Sequence, residues 1–191
     1  KGMKVLGIEP SSKLANAAIE KGVDTFIDFF SNNLVKKILD DYGKVSVITA
    51  TNVFAHIDDL DNFMNTSDSL LVEDGIIVIE APYLLNLIEN LEYDTIYHEH
   101  LSYLSVKPMI KFLQKFGFEI FDIKKQFIHG GTLRYFISRK NKKVITQEVS
   151  NYLKLENDSG LYSKEKLNNF ATLVKNHRTT LMELLNDLKK S

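Results

Sequence analysis

The chain has 191 residues, 44% hydrophobic and 26% charged, with 24 Lys plus Arg against 25 Asp plus Glu. This is ordinary globular usage for one domain, or one domain with an appendage, and it argues against a disordered, collagen-like or wholly coiled-coil chain. A net charge of −1 gives no field for holding nucleic acid, and the absence of cysteine excludes disulfides and thiolate zinc sites.

No apolar run approaches the length of a membrane span, and no signal-peptide pattern opens the chain. A cytoplasmic protein is the expectation. The chain opens on Lys1, and Met3 leads at once into a strand pattern, so a fragment of a longer protein is expected.

Residues 3–8 read as a short buried strand ending at Glu9. Pro10 and Ser11-Ser12 start a helix that runs through Leu14, Ala17 and Ala18 to Gly22, a glycine suited to the position after a helix. Residues 23–27 form a second strand. Ser31 caps a helix striped by Leu34, Val35, Ile38 and Leu39 and ended by Gly43. Residues 45–50 form a third strand, and 51–57 are the loop at its C-terminal end. Asp58 caps a helix that turns Leu60, Phe63, Met64, Leu70 and Leu71 inward, with Gly75 after it. Residues 76–80 read as a strand, apolar throughout Ile76–Ile79, as in a strand buried on both faces of a parallel sheet. The alternation predicts an α/β fold with a mostly parallel sheet.

The order then changes. Residues 81–104 read as a long polar-aromatic connection around Tyr97-His98-Glu99-His100. Ser105 caps a helix with Pro108 in its first turn, running through Ile110, Phe112, Leu113 and Phe116 to Gly117. Strands at 118–127 and 133–139, with no helix between them, predict an antiparallel hairpin at the sheet edge. Residues 147–157 are helical, 158–160 break the helix, and a long helix follows from Ser163 to Lys189. Its stripe is Leu167, Phe170, Val174, His177, Leu181, Leu184, Leu185 and Leu188, a spacing suited to packing on the domain or on a partner helix. The division expected is an α/β domain over 1–143 and a helical extension over 144–191, with self-association through that extension as one reading.

Four places carry chemistry. Glu9 closes the first strand, where an acidic residue either accepts bonds from ribose hydroxyls or caps the next helix. Asn52 and His56 leave the third strand at its C-terminal end, where open α/β sheets bind ligands; capping and a surface histidine are the plainer alternatives. Tyr97-His98-Glu99-His100 is the densest group of proton-handling side chains. If extended, His98 and His100 share one face and Tyr97 and Glu99 the other. Histidine serves as a base near neutrality, and a carboxylate beside it can orient the ring. The His-x-His pair lacks a third ligand at a recognisable spacing, so no metal is expected. His129-Gly130-Gly131-Thr132-Leu133-Arg134 is either a ligand-approaching turn with Arg134 on a phosphate, or a hairpin loop that needs positive φ.

Ile8-Glu9-Pro10-Ser11, Asn52-Val53-Phe54-Ala55-His56, Glu80-Ala81-Pro82-Tyr83, Tyr97-His98-Glu99-His100-Leu101-Ser102-Tyr103 and His129-Gly130-Gly131-Thr132-Leu133-Arg134 occur together, in this order. In this the chain resembles the S-adenosylmethionine-dependent sugar C-methyltransferases, which methylate a carbon of a nucleotide-linked keto-deoxysugar. The resemblance covers roughly residues 1–140 and, more weakly, the tail. It implies a class I methyltransferase (Rossmann-like) fold with S-adenosylmethionine as cofactor and a small-molecule substrate. It implies Glu9 on the cofactor ribose and Asn52 near the methionine part, with His56, Tyr97, Glu99 and His100 around the sugar. It further implies His100 as the base that makes an enolate, and His98, His129, Gly130 and Arg134 on the sugar or its diphosphate. Family members also carry an N-terminal cysteine-rich zinc domain, a Gly-rich first turn and a C-terminal Rossmann-like domain, and these residues show none of them. The alternatives are a non-catalytic Rossmann-like binding or scaffold domain and an O- or N-methyltransferase of another small molecule.

Overall fold

A computed structural model describes residues 2–128 and 130–190, so His129 lies outside the described residues. The chain divides into two compact units, residues 1–46 with 59–72, and residues 47–58 with 73–191.

The first unit carries two short parallel strands, β1 (Leu6–Ile8) and β2 (Asp24–Phe26), in register from Leu6↔Asp24 to Ile8↔Phe26. Its helices are α1 (Ser12–Glu20), α2 (Asn32–Tyr42) and α3 (Leu60–Leu70). Their starts follow local chemistry. Ser31 Oγ accepts from Leu34 N at 3.3 Å, satisfying one orphan donor of α2. Asp59, one residue beyond the expected Asp58, caps α3 by accepting from Asn62 N at 2.8 Å. Gly22 follows α1 at φ 83, as the sequence predicts. α2 buries Leu34, Val35 and Ile38, and α3 buries Phe63, Met64, Ser67 and Leu70, each set one helical stripe. Buried Thr66 ties the two helices by donating to Asn32 Oδ1 at 2.6 Å.

The second unit is built on a four-stranded sheet. Its strands are β3 (Val45–Thr51), β4 (Leu71–Pro82), β5 (Phe118–Gln126) and β6 (Thr132–Arg139), ordered β3-β4-β6-β5. The expected hairpin is present. β6 lies inside the sheet, antiparallel to both β4 and β5, so β5 forms the edge. The sheet is therefore mixed, not mostly parallel. On one face, Ile77, Ile137 and Ile120 are in register, as are Ile79, Tyr135 and Ile123, and all six are buried. Each such aliphatic side chain contributes about 1.5–3 kcal/mol on full burial. Helix α5 (Val106–Gln114) buries Val106, Met109 and Leu113 along one stripe.

Three expectations change. β4 begins at Leu71, directly after α3, and runs through Gly75, because Leu71 and Val72 extend the apolar pattern of the strand backwards. Ile76 and Val78 are only half-buried, so this stretch alternates instead of burying both faces. Residues 81–104 are not all connection, since α4 (Leu84–Glu89) and a 3-10 turn at Tyr93–Thr95 occupy part of them. The tail forms α6 (Gln147–Asp158) and α7 (Lys164–Lys190), but α7 has no buried residue. It meets the unit through Lys166 on Glu89 at 3.4 Å and His177 on the Tyr93 hydroxyl at 2.8 Å, while Leu181, Leu184, Leu185 and Leu188 are exposed. Docking along the whole apolar stripe is not what the helix does. No described helix is long and apolar enough to cross a membrane.

Candidate active site

The Tyr97–His100 segment is a turn, closed by His100 N donating to Tyr97 O at 3.0 Å. The expected sharing of a strand face by His98 and His100 therefore does not occur. The turn is pinned to a second piece of chain. Leu101 N and Ser102 N both donate to Ala55 O, at 2.9 and 3.2 Å. Ala55 belongs to a 3-10 turn, Phe54–His56, whose Phe54 and Ala55 are buried. This pinning places the His56 ring against the His100 ring, with centroids 4.9 Å apart.

Both imidazoles are oriented by backbone carbonyls. His100 Nδ1 is 2.7 Å from Thr95 O, and His56 Nδ1 is 2.8 Å from Glu99 O. A carbonyl only accepts, so each Nδ1 carries the hydrogen and each neutral ring keeps its lone pair on Nε2. Tyr97 O–H is 3.3 Å from His100 Nε2 and donates to it. The Tyr97 ring lies 4.3 Å from the His100 ring, and the Tyr103 ring meets it edge-on at 6.0 Å. Beside them a cavity of about 10 Å³, room for a single water, is lined by Ala55, Pro82, Thr95, His100, Ser102 and Tyr103. The Glu99 side chain is exposed, and its part in this network is its carbonyl. His98 is exposed.

Asn52 follows β3 in the left-handed region, φ 53, which costs a non-glycine residue of order 1 kcal/mol or more. Its N–H donates to Glu80 O at 2.8 Å, while its side-chain Oδ1 is buried with no partner among the described residues. In the first unit, Glu9 Oε1 accepts from Ser11 N at 2.8 Å, ahead of α1, and Glu9 remains half-exposed.

Arg134 sits opposite Glu80 in the β4–β6 register. Its Nε and Nη2 lie 2.7 and 2.6 Å from Glu80 Oε2, and the two side chains are 40% and 3% exposed. Glu80 thus anchors the guanidinium, and the remainder of the group faces outward. Gly130 and Gly131 have φ 73 and 116, as a loop requiring positive φ predicts. A Cβ on Gly130 would run into the Glu92 carboxylate, and one on Gly131 into the Asn86 amide. Asn86 donates to Gly130 O at 3.1 Å, and Tyr83 N donates to Gly131 O at 3.1 Å. The glycines bring the hairpin against α4.

The structure thus gathers His56, Tyr97 and His100 in one place, with Asn52, Glu80 and Arg134 along neighbouring strand ends. The sequence pattern missed the carbonyls of Ala55, Thr95 and Glu99, because backbone acceptors leave no mark in side-chain identity. It also missed Glu80 as the partner of Arg134, since that pairing needs the strand register.

Comparisons with known proteins agree with this architecture. Residues 1–123 match the family model described as a methyltransferase domain, and residues 127–191 match a C-methyltransferase C-terminal domain. The chain is 29% identical over 185 residues to the C-methyltransferase NovU of Streptomyces niveus, across 96% of this chain and 44% of that protein. It therefore spans less than half the length of that relative. Its fold is similar to magnesium protoporphyrin IX methyltransferase of Synechocystis PCC 6803 with bound SAH, at TM-score 0.54 and 13% identity, covering 73% of this chain and 65% of that one. It is also similar to a SAM-dependent methyltransferase of Anabaena variabilis ATCC 29413, at TM-score 0.51 and 13% identity, covering 72% and 68%. At such identities these two likenesses speak for the fold alone, a Rossmann-like α/β arrangement. The family model spans well over half of the sequence, and on that ground the chain belongs to the methyltransferase-domain family.

Proposed function

We propose that this chain is part of an enzyme that methylates a carbon next to the keto group of a nucleotide-linked deoxysugar, with His100 as the base. The observation that carries the reading is the Nδ1 contact of His100 with Thr95 O, which leaves the Nε2 lone pair beside Tyr97 and His56. A carbon is nucleophilic only as an enolate, so the reaction needs a base and a donor for the enolate oxygen. His100 Nε2 takes the proton from the carbon. Tyr97 O–H already donates at that nitrogen, and it turns to the developing enolate oxygen. His56, from the Phe54–His56 turn, and Glu99, from the Tyr97–His100 turn, line the sugar. The similarity to a C-methyltransferase, and the second match to a C-methyltransferase domain, support carbon as the acceptor.

The residues present fit S-adenosylmethionine. Glu9 directly follows β1 and is half-exposed, its carboxylate able to accept from ribose hydroxyls. The buried, unpartnered Oδ1 of Asn52 is an acceptor in want of a donor, as the amino group of the methionine part would supply. When bound, the cofactor supplies an electrophilic methyl group on a sulfonium sulfur. His98, His129, Gly130 and Arg134 are assigned to the sugar or its diphosphate, with Arg134 held by Glu80 so that its outer edge meets an anion. The test is calorimetric titration with S-adenosylhomocysteine beside a methyl-transfer assay, on wild type and His100→Gln. The variant is expected to bind the cofactor product as wild type does and to lose transfer by at least about a hundredfold. An unchanged transfer rate would remove the base assignment.

A further inference from the structure

The loop that carries His100 runs into α5 at Ser105, and the first turn of that helix is not capped by its own N-cap side chain. Val106 N and Lys107 N instead donate to the Glu156 carboxylate of α6, at 2.5 and 3.0 Å. Tyr162 O–H also donates to Glu156. A phenol has one proton, so the Ser105 hydroxyl, 3.2 Å from the Tyr162 oxygen, donates to it in turn. Glu156 and Ser105 are both fully buried.

Taking a carboxylate out of water is costly, and the Ser105 hydroxyl, already at the N-cap position, is of the type that satisfies such donors from the helix itself. What Glu156 adds is reach. It fastens the start of α5 to a helix fifty residues further along the chain. The neighbouring anchors complete the frame, because Leu84 N donates to Leu104 O at 2.9 Å, and Leu101 and Ser102 donate to Ala55 O. The loop between residues 97 and 105 is thereby held at its α5 end by the Glu156–Tyr162–Ser105 chain and midway, at Leu101 and Ser102, by the Ala55 turn.

We infer that Glu156 is a positioning residue for His100. Through Tyr162 and the first turn of α5, it keeps the His100 ring on Thr95 O, with Nε2 facing Tyr97 and His56. This inference rests on the proposed role of His100 for its catalytic meaning. The segment matched by the C-methyltransferase C-terminal domain model thus reaches back to order the loop in the segment matched by the methyltransferase domain model.

Glu156→Gln tests it, because the amide accepts one N–H and presents its own hydrogens to the other. Two readouts are taken on the full chain: the tautomer of His100 by nitrogen-labelled NMR, and native-state hydrogen exchange. The expected result is that His100 populates both neutral tautomers. Exchange at Leu101 and Ser102 should accelerate about tenfold beyond that at Tyr135 and Ile137, the loss of one hydrogen bond to a charged group. Tyr162→Phe should shift both readouts the same way by less, and it serves if Glu156→Gln does not fold. Acceleration confined to Val106 and Lys107, or spread evenly through the sheet, with the tautomer unchanged, would overturn the inference. Neither readout needs a substrate, so failure of methyl transfer and failure of the clamp are told apart.

Discussion

Replacing Arg134 with methionine isolates the energetics of the strand-end ion pair. Methionine keeps the aliphatic bulk and removes the guanidinium, leaving the Glu80 carboxylate, whose side chain is 3% exposed, without its cation. Removing one partner of a buried pair costs about 3–5 kcal/mol, because a charge is left uncompensated. The Arg134 side chain is 40% exposed, so water enters the vacated side and the lower end applies. We expect a loss of about 3 kcal/mol, read as a lowered urea midpoint at constant slope. For a chain of this size that corresponds to roughly 6–12 °C in Tm. Adding Glu80→Gln to Arg134→Met removes the orphaned charge and should recover more than half of the loss, a coupling expected of residues in contact. Arg134→Met within about 0.5 kcal/mol of wild type, the range of ordinary surface changes, would refute the buried-pair reasoning.

Three further outcomes are expected. Gly131→Ala forces a side chain onto φ 116 and against Asn86, and should destabilise by about 2–3 kcal/mol in urea unfolding, whereas a neutral effect would mean that the hairpin re-forms elsewhere. Burial raises the phenols of Tyr83, Tyr135, Tyr152 and Tyr162, with Glu156 contributing at all but Tyr152. Above the ordinary tyrosine value near 10 the unfolded chain then holds fewer protons than the folded one, so stability should fall as pH rises through that range. An ultraviolet titration in which all tyrosines ionise together near that value, without unfolding, would contradict this. Leu181→Gln and Leu184→Gln on α7 remove exposed side chains and should leave the urea midpoint within about 0.5 kcal/mol, while a larger loss would show that the stripe is covered.

Much of the first unit was legible because its signals are local. Ser31 caps α2 through its own hydroxyl, Gly22 ends α1, and the stripes Leu34-Val35-Ile38 and Phe63-Met64 bury as their spacing requires. The hairpin of β5 and β6 was legible too, since two strand patterns adjoin with only a glycine turn between them. What stayed hidden is non-local. The place of β6 between β4 and β5 depends on pairing across more than fifty residues, and α4 is too short for its periodicity to stand out. In the candidate site the side chains His56, Tyr97 and His100 were named from their chemistry. Their orientation was not, because Thr95, Glu99 and Ala55 act through carbonyls. At α5 the position of the cap is legible but its bonding is not, for a similar reason. Ser105 has the right identity and position, yet a carboxylate from α6 makes the bonds.

The central claim is that His100 Nε2 removes a proton from carbon. The direct measurement is hydrogen exchange into a nucleotide-linked keto-deoxysugar in deuterium oxide, followed by NMR, with S-adenosylhomocysteine present so that no methyl transfer occurs. The account predicts that the wild-type chain introduces deuterium at the carbon beside the keto group, and that His100→Gln slows this by at least about a hundredfold. Equal exchange by the two proteins, or methyl transfer to oxygen or nitrogen with no exchange at carbon, would contradict it.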